Sequence, residues 1–416
     1  MLDLRQIRED PQPARDALAR RGVDPAILDE ALELDERRRA LLPELEELRA
    51  QKNQASKRIG ALQRSGEDAT EAIAETRRLS EREKELEEEV REVDERRTAL
   101  LYSLPNLPDP TAASEDEVIR EVGEAGKSGR NHVELLADDL DTERAARVSG
   151  SRFAYVKGPL VRLELALVQW AVSLLEERGF RPVIPPVLVR ADALVGTGML
   201  PDTEQQIYRV PDDELYLVGT SEVPLASLHA GEILSGAELP LRYAGFSPCF
   251  RREAGAAGRD TQGLFRVHQF DKVEMFVFVE PEQSKDEHAR LLAIEEQILQ
   301  VLEIPYRVVN IAVDDLGASA AKKYDLEAWL PGQQRFRELT SCSNTTDFQA
   351  RRLEVRYRRK EGESVRHVHT LNGTALAVGR TIIAIAENHQ DDDGNVAIPE
   401  VLHPFGAPLR LEAARE

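Results

Sequence analysis

Between Phe250 and Phe276 the sequence gathers arginines, carboxylates and a flat aromatic around a short glycine-rich stretch. Arg251 and Glu253 stand on one side of that stretch; Arg266, Phe270 and Glu274 stand on the other. The flanking runs alternate, which predicts two antiparallel strands over 243–251 and 264–279. Glycines at 255, 258 and 263 supply the turn geometry between them. A period of two puts Arg266, His268, Phe270, Lys272 and Glu274 on one face of the second strand. Charges are almost never buried without a partner, so this is not an ordinary core face. Arginine offers paired donors to phosphate oxygens, and a phenyl ring offers a surface for a base. The chemistry that fits is nucleotide binding. A solvated hairpin laced with ion pairs fits the loop equally well when the loop is taken alone.

Further clusters lie outside the hairpin. Thr220-Ser221-Glu222 follows a short strand predicted over 215–219; by itself it reads as a helix cap with a first-turn acid. The run Glu338-Leu339-Thr340-Ser341-Cys342-Ser343-Asn344 is polar where core packing would call for apolar residues. Asn372-Gly373 reads as a turn before an apolar helix over 374–388 whose one inward charge is Arg380. An arginine on such a helix requires an anion, either a structural carboxylate or a phosphate. His367 and His369 could ligate a metal, but a hydrogen-bonded pair on a strand is the stronger reading, and no Cys/His cluster has zinc spacing.

Taken together, Phe-Arg-x-Glu, a loop, then Gly-Leu-x-Arg-x-His-Gln-Phe-x-Lys-x-Glu resembles the second signature of class II aminoacyl-tRNA synthetases in its seryl form. The Thr-Ser-Glu, Glu338–Asn344 and Asn372–Arg380 stretches resemble the same family, across nearly the whole chain. The resemblance implies activation of L-serine with ATP and Mg2+ and its transfer to tRNA(Ser), with tRNA(Sec) a further candidate. It places Arg251, Arg252, Glu253, Arg266, Val267, Phe270, Glu338, Leu339, Thr340, Ser341 and Arg380 around ATP. Arg251 and Arg380 carry the catalytic charge, and Glu338 and Ser341 hold Mg2+ with ATP. It places Thr220, Ser221, Glu222, Arg251, Glu274, Asn372 and Thr374 around serine. Two positions depart from the family pattern: Gln262 stands where arginine is expected, and Thr374 stands where serine is also usual. Two rival readings are a paralogue that loads serine onto a carrier protein and a non-catalytic tRNA-binding regulator. The first has no use for a basic arm, and the second predicts loss of the ATP-binding charges; this chain has the arm and keeps the charges.

These residues need a frame, and 416 residues are enough for two domains with a large core. The expected fold is α+β: an N-terminal antiparallel two-helix coiled-coil arm, then a catalytic domain built on an antiparallel β-sheet flanked by helices, divided at 110/111. The arm follows from apolar residues at four-three spacing through Leu34, Leu41, Leu45, Leu48, Ala55 and Leu62, and again from Ala72 to Leu100. The break at Ser65-Gly66-Glu67-Asp68 is a turn. Several seam positions are charged: Arg38, Lys52, Glu83 and Arg97. From Arg49 to Gly66 no acid occurs, although the whole chain carries a net charge of −21. Arg49, Lys52, Lys57, Arg58 and Arg64 therefore form the clearest basic surface, which suits a polyanion; the resemblance makes it the tRNA-binding surface.

Residues 111–150 are weakly patterned and predict irregular structure. A helix over 160–178, then an extended segment over 180–188 with Pro182, Pro185 and Pro186, resembles the first class II signature and implies a homodimer. Arg162 and Glu164 interrupt that apolar helix, so no membrane span is expected. Cysteine occurs only at 249 and 342, which excludes a disulfide framework and suits a reducing, cytoplasmic setting.

Overall fold

A computed structural model of the chain describes residues 1–201, 203–255 and 263–413. Gln262 and Gly258 lie outside the described residues. Two compact units divide at Pro105/Asn106. Asn106 falls in the second unit because its amide nitrogen donates to the carbonyls of Ser319 (2.9 Å) and Thr345 (2.8 Å).

In the first unit, α1 (Ala26–Ser65) and α2 (Thr70–Ser103) pack antiparallel. Forty residues of helix extend roughly 60 Å at 1.5 Å each. Gly66 ends α1 with a left-handed φ of 75°, the conformation glycine adopts without a Cβ penalty. Leu28, Leu45 and Ala55 from α1 and Ala72, Leu86, Val93 and Leu101 from α2 are buried. The charged seam positions pair between helices: Arg38 with Asp94 (2.7 Å), Arg97 with Asp35 (3.3 Å), and Lys52 with Glu83. Half-buried charges are tolerated in this seam because each meets an opposite charge.

The second unit is built on an eight-stranded sheet. Its strands are β1 (Glu117–Val122), β2 (Arg181–Val183), β3 (Leu241–Phe250), β4 (Gln269–Val279), β5 (Tyr306–Asn310), β6 (Lys322–Leu330), β7 (Arg335–Thr346) and β8 (His369–Ala377). The spatial order is β1-β5-β6-β7-β8-β4-β3-β2. All neighbours are antiparallel except β2, which pairs parallel to β3 at the edge. Pro182 is acceptable in that edge strand.

Helices α3 (Gly158–Glu177), α4 (Ser284–Val301) and α5 (Val378–Asn388) share one large core with the sheet. Strand β4 shows how the layers separate. Val273, Met275, Val277 and Val279 enter that core. On the alternate positions, Phe270, Lys272 and Glu274 line a cavity, and Phe276 and Phe278 fill a second, smaller core. Each fully buried apolar side chain of this kind stabilises the fold by about 1.5–3 kcal/mol. Helix α3 is long and apolar enough to cross a membrane, but much of that apolar length is used here: Leu160, Leu163, Leu167, Trp170 and Leu174 are buried in the core.

Several expectations need correction. The second hairpin strand starts at Gln269, not at residue 264. His268 still bonds Arg251 through the backbone, but its own N–H goes to Arg152 O (3.0 Å) and its ring packs with Phe153 and Tyr208. Arg266 and His268 therefore leave the alternating face. Residues 111–150 are not all irregular: they contain β1 and the helices His132–Leu135 and Thr142–Ser149. Strand β1 is exposed except at Val122, so burial imposes no period on its sequence. Asn372-Gly373 is not a turn, and residues 374–377 are strand, with the helix starting at Val378. Gly373 is needed for close packing: a Cβ there would sit 2.8 Å from Glu295 Oε1 and 3.1 Å from Cys342 Cβ. His369 Nδ1 lies 2.9 Å from Ser284 Oγ, and no group of three or more metal-ligating side chains occurs among the described residues.

Candidate active site

Strands β4, β6, β7 and β8 and the start of α5 surround a cavity of about 390 Å3. Arg251 follows directly on the end of β3 and reaches into it. Its guanidinium carbon stands 5.2 Å from the centre of the Phe270 ring, and its Nε donates to Gly219 O at 3.1 Å. Arg251 makes no ion pair among the described residues, yet its charge is felt by both Glu222 and Glu338. The other two arginines of the cavity have carboxylate neighbours at longer range. Arg266 Nε is 3.5 Å from Glu253 Oε2, and Arg380 NH1 is 3.4 Å from Glu338 Oε2. Arg380 also donates to Glu338 O (2.9 Å) and lies 4.8 Å from the Phe265 ring centre. Glu253 holds a left-handed φ of 49°, a conformation costing a non-glycine residue of order 1–3 kcal/mol that concentrates at functional sites.

Burial acts against the charge of Glu338, but Arg380, Lys323 and Arg251 outweigh it and hold that carboxyl below the usual range. Glu338 thus stays ionised. Ser341, two strand positions from the strand's Leu339, shares the cavity with it.

A second group of polar side chains comes from α-helix Glu222–Ala226, β4 and β8. Glu222 Oε1 accepts from Gln349 Nε2 (2.7 Å) and Asn372 Nδ2 (3.0 Å). Burial, and then the charge of Glu274, push its carboxyl up to about 7. Thr374 Oγ1 donates to Glu274 Oε2 at 3.2 Å. Lys272 Nζ meets Glu274 Oε2 at 2.5 Å and donates to Thr220 Oγ1 at 2.7 Å.

The cavity therefore brings together Thr220, Glu222, Arg251, Glu253, Arg266, Val267, Phe270, Glu274, Glu338, Leu339, Thr340, Ser341, Asn372, Thr374 and Arg380. It leaves out two expected members. Ser221 is fully buried against Gly245 O (3.4 Å), and Arg252 is exposed, with its backbone N–H on Gln206 O. Lys323 is an addition that the sequence pattern did not single out; it faces Ser343, a member of the polar run to which no role was given, across β6 and β7. Lys323 is paired with Asp325 (3.1 Å), and its strand period was obscured by neighbouring Lys322. Gln349 was likewise missed, because it reaches Glu222 from a separate short helix.

On the arm, the basic stretch divides. Arg49 is held by Glu87 (2.7 Å) and Glu83 (3.4 Å), and Lys52 by Glu83. Lys57, Arg58 and Arg64 are exposed and make no ion pair among the described residues.

The antiparallel sheet, the arginine-lined cavity and the anchoring helix behind it define a class II aminoacyl-tRNA synthetase core, and residues 207–389 match the tRNA synthetase class II core domain (G, H, P, S and T). Residues 1–108 match the seryl-tRNA synthetase N-terminal domain. The serine–tRNA ligase of Streptomyces coelicolor is 49% identical over 417 residues, covering 97% of each chain. The crystal structure of seryl-tRNA synthetase from Pyrococcus horikoshii complexed with ATP superposes with a TM-score of 0.93 at 44% identity, covering 100% of both chains. That of the cytoplasmic serine–tRNA ligase from Naegleria fowleri in complex with AMP gives 0.88 at 34% identity, covering 100% of this chain and 99% of that one. The chain belongs to the seryl-tRNA synthetase family.

Proposed function

We propose that this protein attaches L-serine to tRNA(Ser) in two steps at the one cavity, with tRNA(Sec) a second acceptor to be tested. In the first, the serine carboxylate attacks the α-phosphorus of ATP and pyrophosphate leaves. In the second, a terminal ribose hydroxyl of the tRNA attacks the carbonyl of seryl-adenylate and AMP leaves. The observation that carries this reading is Arg251: a cation that makes no ion pair among the described residues, beside a phenyl ring, between two groups of acids. It stabilises the charge that develops on the α-phosphate. Phe270 stacks on adenine and Glu253 accepts from its amino group. Arg266 and Arg380 exchange their long carboxylate contacts for the distal phosphates. Catalysis of this type rests on positioning and on electrostatic stabilisation. The cavity's hard oxygen donors, the ionised Glu338 and the Ser341 hydroxyl, suit Mg2+, which binds through few carboxylates together with phosphates and would neutralise triphosphate charge there.

Glu222 and Thr220 hold the substrate ammonium, and Glu274 with Thr374 holds the hydroxyl. A site that hydrogen-bonds a hydroxyl refuses alanine because its own polar groups are left unpaired. ATP–pyrophosphate exchange with each amino acid, followed by transfer to tRNA, tests the whole reading. Serine alone should support rapid exchange. Exchange without transfer would favour a carrier-protein substrate, and no exchange would favour a regulator.

A pH dependence follows for serine. Only ionised Glu222 attracts an ammonium, and its carboxyl titrates near 7. Lowering the pH from 8 to 6 should raise the KM for serine by about tenfold, approaching a factor of ten per pH unit below 7, with the KM for ATP much less affected. In Glu222→Gln that dependence should disappear and KM should be high throughout. The stability linkage runs oppositely. The folded-state value lies above the unfolded one near 4.5, so this group's contribution to stability falls as pH rises from about 4.5 to 7.

We also assign a homodimer and a cytoplasmic setting. Helix α3, which packs on β2, exposes Val161 and Leu165; Ile184 and Leu188 follow β2, with Ile184 83% exposed. Large apolar residues left exposed on adjoining elements suit a protein contact. Sedimentation should give a dimer, and the double variant Leu165→Glu, Ile184→Glu should shift it to monomer. Both cysteines are buried and free, in keeping with a reducing compartment.

A further inference from the structure

The amino-acid end of the cavity holds two carboxylates, Glu222 and Glu274, in unequal surroundings. Among the described residues Glu222 receives neutral amide donors, from Gln349 and Asn372, and its backbone N–H is held by Thr220 Oγ1 at 3.1 Å. Glu274 Oε2 is in contact with the ammonium of Lys272 at 2.5 Å and the hydroxyl of Thr374 at 3.2 Å. Both of these contacts fall on Oε2, and Glu274 lines the cavity, so Oε1 is the oxygen left to a ligand. Lys272 is 6% exposed and anchored a second time by Thr220 Oγ1. It stands two positions before Glu274 on β4, so the pleat of the strand aims both at the same space.

We propose that Lys272 is the specificity-determining positioning residue of the amino-acid site: its lasting pair with Glu274 reserves that carboxylate for a neutral hydroxyl and leaves Glu222 as the acceptor for the substrate's ammonium. The inference rests on the serine subsite assigned above. A buried carboxylate already in contact with an ammonium attracts a second cation weakly, while Lys272 itself repels one. A hydroxyl suffers no such repulsion and can donate to Glu274 Oε1. Without Lys272 the site would contain two carboxylates with a charge to satisfy, and a substrate bearing a second ammonium would fit it. Lys272 thus turns away diamino acids of serine's size, a discrimination that neither Glu274 nor Thr374 can supply.

The test is ATP–pyrophosphate exchange at about pH 6 with serine, alanine and 2,3-diaminopropionate; at that pH both its amino groups are protonated, so an ammonium stands in place of the hydroxyl. The full-length enzyme is compared with Lys272→Arg, Lys272→Gln and Lys272→Met. The unsubstituted enzyme should use serine at least about 100-fold better than 2,3-diaminopropionate in kcat/KM. Lys272→Arg should keep that preference. Lys272→Gln and Lys272→Met should move the diaminopropionate-to-serine ratio up by at least about tenfold while raising the KM for serine. In both variants kcat/KM for 2,3-diaminopropionate should itself rise, a gain that a loosened fold does not give. Equal loss toward all three substrates, or an unsubstituted enzyme that accepts 2,3-diaminopropionate as well as serine, would overturn the proposal; the second measurement needs no variant to fold. Failure of the subsite assignment shows separately: Glu222→Gln and Thr374→Val with an unaltered KM for serine would overturn both.

Discussion

Replacing Arg251 with alanine should lower serine-dependent ATP–pyrophosphate exchange by about 1000-fold or more, while the affinity for tRNA stays within about twofold. Loss of one preorganised donor to developing charge costs about 100- to 1000-fold, and loss of an arginine that stabilises a phosphoryl transition state costs about 1000- to 100,000-fold. Arg251 belongs at the upper part of the first range because it makes no ion pair among the described residues, and because it is half-buried beside Phe270, where water screens it poorly. Lysine at this position should recover little, since a single ammonium cannot reproduce the planar fork that reaches Gly219 O and a phosphate together. Transfer from chemically prepared seryl-adenylate should be much less impaired than exchange. Equal loss of exchange and of tRNA binding would show that Arg251 acts through the fold and not through the phosphate.

The second large effect concerns the arm. Lys52 and Glu83 meet across the seam, so residues 53–82 can be excised and the two joined by a short glycine-rich turn without disturbing the lower packing. Serine-dependent exchange should remain within about twofold, because the cavity lies wholly in the second unit. Charging of tRNA at low concentration should fall by at least about 100-fold. A finer version substitutes only Lys57, Arg58 and Arg64 with alanine. Each phosphate contact contributes about 0.9 to the slope of log affinity against log salt, so losing three should flatten that slope by about 2–3. Arg49 and Lys52 should contribute less, because both are already engaged by Glu83 and Glu87. Undiminished charging by the shortened protein would remove the arm from tRNA recognition.

The arm also shows what was legible from residue order alone. Its helices, its turn at Gly66 and even the charged seam positions follow from a period of three and four, since neighbours along a helix face are close in sequence. The same holds for Phe270, Lys272 and Glu274, placed together by the pleat of one strand. Local patterns failed where a distant segment decided the geometry. His268 leaves the strand face because Arg152 takes its N–H. Gly373 sits in mid-strand because Glu295 and Cys342 press on it from the core. Ser221 turns to Gly245, although its neighbours on either side open to the cavity.

Residue order by itself determined the inventory of the site and the family pattern: the arginines, the phenyl ring, the carboxylates and the basic stretch of the arm. Tertiary structure alone decided which charges are spent and which are available. Arg49 and Lys52 are bound by acids more than thirty positions away, Arg266 and Arg380 are held loosely, Arg251 makes no ion pair among the described residues, and Lys272 is committed to Glu274. The energy of a charge depends on its distance to every other charge and on how far water has been excluded, and neither quantity is carried by the order of residues along a chain.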